Sequence, residues 1–138
     1  MPENFVSAAT RHLEDAHMLF TANRPDNSVY LAGYTVECGL KVLIEMAGST
    51  SKRWGHELAT LSGDALLLAC LISPSVRRYT IPESPDFIQL RLCWNPEMRY
   101  VTTGEIKEQE AQACLRAAEQ VYRAIIIEAV LDGRSKMS

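Results

Sequence analysis

Residues 28–48 read SVYLAGYTVECGLKVLIEMAG, and the way this stretch folds decides the class of the chain. Read as a helix, it is apolar around most of its circumference, and such a helix is buried on several sides. Asp26, Asn27 and Ser28 supply cap candidates at its start, and Gly48 supplies a left-handed stop at its end. The stretch is therefore expected to be the central helix of a helical protein.

One narrow stripe interrupts its apolar surface. Tyr30, Tyr34, Glu37, Lys41 and Glu45 step by four, three, four and four residues, so they share one face. Glu37 and Lys41 stand in the favourable order for an i,i+4 ion pair, acid before base. The stripe is expected to be a strip of solvent-facing surface. The alternative is a polar cleft wall that holds a ligand or a catalytic group.

Outward from this helix, the pattern stays helical. Across residues 3–23, Phe5, Val6, Ala8, Ala9, Leu13, Ala16, Leu19 and Phe20 recur every three or four positions, and Arg24-Pro25 stops the run. On the other side, STSKRWGHE is a polar connector, followed by short helices HELATL and DALLLACLI that end at Pro74. Residues 75–85 are read as loop, since VRRYTI has no strand to pair with. DFIQLRLC, residues 86–93, returns to helix, and Asn95-Pro96 breaks it. TTGE places Thr102 three residues before Glu105 as a capping box for a last helix from about Ile106 to Leu131. The expected fold is all-α, an up-and-down bundle of five to six helices forming a single domain over residues 1–138.

Composition narrows the class. Hydrophobic residues make up 47% and charged residues 22% of 138 residues, as in a soluble globular protein with one core. The formal net charge of −3 provides no broad basic surface for phosphates, so nucleic-acid contact would need a local patch. Cys38, Cys70, Cys93 and Cys114 form no Cys-x-x-Cys pair and have apolar neighbours, which points to reduced, buried thiols with no metal site. MPENFVSAAT is too polar for a signal segment, and no apolar run approaches the roughly 20 residues that cross a bilayer. A cytoplasmic protein with no membrane contact and no cofactor is expected.

YLAGYTVECGLKVLIE, then GHELATL, then the arginine-tyrosine step in WNPEMRYV, then EAQACLRAAEQVYRAIII resemble the HEPN family, in the family's order and over about residues 7–130. The resemblance implies a dimeric helical bundle of the kind often encoded beside small nucleotidyltransferases. Many members are metal-free ribonucleases of toxin–antitoxin and defence systems, with an Arg–His motif near the start of a late helix. Other members lack the motif and bind nucleotides, RNA or partner proteins.

This chain departs from the catalytic pattern. At the matching place stand Arg91, Trp94, Asn95, Arg99 and Tyr100, and the last histidine in the chain is His56. Arginine stabilises a phosphorane but cannot serve as the base that a ribose 2′-hydroxyl needs. RHLEDAH, residues 11–17, has a matching spacing but lies on the first helix. Arg11 and His17 are about 240° apart around its axis, and with Glu14 and Asp15 they read as a solvated face. His56 is expected to be structural, near a helix start; its alternative role is an acid-base partner to Arg99 or Glu37. Trp94, Arg99 and Tyr100 suit either base stacking with phosphate holding or a dimer interface, and Arg77, Arg78 and Tyr79 repeat that composition.

The reading that results is a HEPN-like homodimeric module that binds a nucleotide, an RNA or a nucleotidyltransferase-like partner. Its candidate site is Tyr34, Glu37, Lys41, Arg91, Trp94, Arg99 and Tyr100. His56 and Arg99 are the candidates should the chain be catalytic. A metal-free endoribonuclease toxin with an unconventional acid-base set, in which His56 or His17 supplies the proton transfers, and a purely structural dimerisation bundle remain the alternatives.

Overall fold

A computed structural model describes residues 4–46, 84–100 and 103–133 of the chain. The expected helices HELATL and DALLLACLI, the arginine-rich loop and His56 lie outside the described residues. Within them the protein is all-α: helices α1 (Phe5–Thr21), α2 (Pro25–Met46), α3 (Pro85–Cys93) and α4 (Glu108–Val121), with no strand among the described residues. Beyond α4 the chain stays helical through a π turn, Tyr122–Ile127, and a closing α turn, Glu128–Leu131.

Each start has a local cause. Asn4 caps α1 by accepting the Ser7 backbone N–H at 2.9 Å, and Ser84 caps α3 by accepting that of Phe87 at 3.2 Å. Between α1 and α2 the chain reverses through Ala22–Arg24, with Asn23 in the left-handed region at φ 62. Pro25 is the first residue of α2, three residues earlier than the expected Ser28. It ends one helix and opens the next, because its fixed φ suits a first helical turn where no N–H is needed.

The last helix differs from expectation in its cap. It begins at Glu108, with Lys107 as N-cap and no side-chain cap bond. Gly104, at φ 93, donates its backbone N–H to Asp26 across the bundle at 2.9 Å. Thr102 of the expected capping box lies outside the described residues, and Gly104 of the same segment takes a tertiary bond to α2.

Contacts along the helices give their directions. Phe5 meets Lys41, His12 meets Tyr34, and the Ser28 hydroxyl donates to the Ala16 carbonyl at 2.8 Å, so α1 and α2 run antiparallel. Asp26 meets Gly104, and Gly39 lies beside Val121, so α2 and α4 run parallel. Ser84 meets Gln120 and Asp86 meets Arg116, which sets α3 antiparallel to α4. The result is an up-and-down arrangement with α2 at its centre, as the sequence pattern predicts.

From Val36 to Ile44 every residue of α2 is buried. Val36, Leu40, Leu43 and Ile44 form the core with Phe87, Leu90, Ile125 and Ile126, all under 2% exposed. Cys38 and Cys114 are buried thiols outside any disulfide, as expected of reduced cysteines. No helix of the described residues is long and apolar enough to cross a membrane.

Candidate functional site

The polar stripe of α2 is not solvent-facing. Glu37 is 4% and Lys41 7% exposed, and the Lys41 ammonium donates to Glu37 Oε2 at 3.3 Å. The expectation of a solvated strip fails because α1 packs along this face. The Phe5 ring lies 5.5 Å from Lys41 Nζ, and Tyr30 and Tyr34 are half-buried higher up the stripe. Glu45 alone among the five is exposed. A buried ion pair on an apolar helix contributes little net stability, because two charges must be desolvated to form it.

Glu37 opens onto a cleft of about 370 Å³ between α1 and α2, lined also by Ser7, Arg11, His12 and Tyr34 among others. His12 is half-buried, and its ring stands 5.6 Å from that of Tyr34. Burial, reinforced by the neighbouring Arg11 guanidinium, pushes the imidazole below its ordinary pKa, while Asp15 and Glu37 pull it weakly upward. His12 is thus a neutral imidazole near pH 7, able to donate one hydrogen bond and accept another. Arg11 is exposed at the rim.

Three of the sequence's candidates, Tyr34, Glu37 and Lys41, come together here. Trp94 does not join them at the surface: it is 3% exposed and donates its Nε1–H to the Tyr30 carbonyl at 3.0 Å. Its ring lies 5.0 Å from Tyr34 and 6.5 Å from Tyr30, so it packs behind the cleft. Gly33 makes this approach possible, since a Cβ there would coincide with the indole. Arg91 sits on α3, over the Phe87 ring at 5.5 Å, where it lines none of this cleft. Arg99 and Tyr100 fall on a 3₁₀ turn, Pro96–Tyr100, with their side chains outside the described residues.

His12 is the site residue that sequence reasoning passed over, in favour of His17. The available signal was its spacing: His12 falls one turn after Ala8 and one before Ala16, beside rather than opposite the core residues Ala9, Leu13 and Ala16. His17 is partly solvated as expected, and its Nε2 also pairs with Glu119 of α4 at 2.6 Å. A separate cavity of about 470 Å³ lies between the α1–α2 turn and the segment before α4, where Asp26 Oδ1 is buried without a hydrogen-bond partner. No cluster of three or more metal-ligating side chains occurs among the described residues.

Searches against protein-family models, curated proteins and solved structures found no match for the chain.

Proposed function

We propose that the chain is a HEPN-like, homodimeric regulatory module that binds a nucleotide or an RNA segment in the cleft between α1 and α2. The observation that carries the reading is the buried Glu37–Lys41 pair, set beside a neutral, half-buried His12 and the Tyr34 ring on the wall of an open cleft. Charged groups taken out of water without a stability gain, next to a histidine of perturbed pKa, mark functional clefts. The HEPN resemblance adds the ligand class and the dimer. It also suggests a nucleotidyltransferase-like partner.

The test is thermal. A ligand that binds only the folded state stabilises it by about 2.7 kcal/mol at a hundredfold excess over Kd, a shift of several degrees in Tm for a domain of this size. ATP, GTP and a mixed RNA pool are each expected to be tried, with a shift from at least one that disappears in His12→Ala. No shift from any of them refutes the reading and leaves a structural bundle. Sedimentation equilibrium tests the dimer independently.

One observation favours a second reading, metal-free RNA cleavage. Neutral His12 next to Arg11 supplies a base for a ribose 2′-hydroxyl and a cation for the developing phosphorane. RNA cleavage that survives chelator and disappears in His12→Ala would establish it.

A further inference from the structure

The charges that the described residues bring to the α1/α2 cleft cancel, and this limits what the cleft can hold. Among the described residues, Arg11 at the rim is followed one turn later on α1 by exposed Asp15, which also acts on His12. On α2, Glu37 is compensated by Lys41. His12 itself is neutral near pH 7. A phosphate ester brings one or two negative charges and is held by convergent cations or N–H donors. Among the described residues this cleft has a single exposed guanidinium and a carboxylate in its wall.

What it offers instead is aromatic surface. The rings of Phe5, His12 and Tyr34 line it, with the Ser7 side chain, the imidazole and the compensated carboxylate as polar points between them. Its volume of about 370 Å³ lies at the small end of the range for sites that take one small ligand. Aromatic faces with a few polar edges suit an uncharged planar ring that carries its own N–H and carbonyl groups.

We propose that the cleft recognises the nucleobase rather than the phosphate, and binds a nucleoside nearly as well as its nucleotide. The proposal rests on the reading of this cleft as a nucleotide or RNA site. Phosphates, where present, stay in water near Arg11, where an exposed ion pair changes affinity by no more than about fivefold.

The experiment uses the full chain and the four common nucleosides, their 5′-monophosphates and ribose 5-phosphate. Binding is read by calorimetry and by tryptophan emission. The chain has two tryptophans, and in a Trp54→Phe background Trp94, 5.0 Å from the Tyr34 ring, reports the cleft. At least one nucleoside is expected to bind within about fivefold of its monophosphate. Its affinity is expected to be nearly independent of salt, against a log–log slope of about −0.7 per phosphate for contacts to a single strand. Ribose 5-phosphate is expected not to compete. Tyr34→Leu is expected to weaken binding about tenfold, and Ser7→Trp, which fills the cleft from the surface of α1, to abolish it.

Nucleotides that bind while nucleosides do not, or competition by ribose 5-phosphate, overturn this proposal and leave the wider reading standing. Failure of every nucleoside, nucleotide and RNA overturns both. Nucleoside binding that persists in both Tyr34→Leu and a folded Ser7→Trp places the site elsewhere and overturns the assignment to this cleft.

Discussion

Lys41→Met removes the ammonium from the Glu37–Lys41 pair and keeps most of the side-chain volume. Glu37 is 4% exposed, so its carboxylate would remain in the protein interior without its Lys41 partner. Breaking a buried pair from one side costs about 3–5 kcal/mol. The lost cation–π contact with Phe5 adds about 1 kcal/mol more. Against a total stability of about 5–15 kcal/mol for a domain of this kind, the single variant is severely destabilised. The double variant Glu37→Leu/Lys41→Met removes both charges and is expected within about 1 kcal/mol of the parent, since apolar replacement of a buried pair is often neutral or stabilising. Urea unfolding of the parent, the single variants Glu37→Leu and Lys41→Met and the double variant, with equal slopes, closes the cycle. A loss under about 1 kcal/mol in Lys41→Met would refute the argument, because it would mean that water or a further partner compensates Glu37. A double variant as unstable as the single would refute it too, because the pair would then be a source of stability rather than a site feature.

Two further expectations concern neighbours of that pair. Gly33→Ala is expected to destabilise by about 1–3 kcal/mol from overpacking, despite the roughly 1 kcal/mol that alanine gains over glycine in a helix. The new Cβ would displace the Trp94 indole and break its bond to the Tyr30 carbonyl, so loss of stability with a red-shifted tryptophan emission is the result to check. Because burial lowers the His12 pKa, the unfolded chain binds the proton more readily than the folded one. Stability is therefore complete above about pH 6.5, the ordinary imidazole value, and falls as pH drops from there toward the lowered folded value. His12→Gln is expected to flatten that acid limb in a series of melting curves, and an unchanged limb would show that other groups produce it.

Much of the fold was legible in the sequence because helical periodicity is a local property. The recurrence Val6, Ala9, Leu13, Ala16 along α1 is the stripe that packs inward, and the nearly all-round apolar surface of α2 made it central. Pro25 marked the break between α1 and α2, and Asn95-Pro96 the end of α3, through proline's backbone preferences. Helix α4 starts two residues later than its local pattern suggests, and Gly104 ahead of it bonds to Asp26, a residue far away in the chain. No local pattern records such a bond.

The candidate site divides along the same line. The sequence by itself determined that Tyr34, Glu37 and Lys41 share a face, since 3.6 residues per turn leaves no other arrangement. Only the tertiary structure decided what that face meets. It placed α1 against it, buried the ion pair, set His12 beside Tyr34, and packed Trp94 behind them through the space that Gly33 leaves. Spacing along a helix fixes the angle at which a side chain leaves the axis. Whether water or another helix lies at that angle depends on chain folding over distances that spacing does not reach.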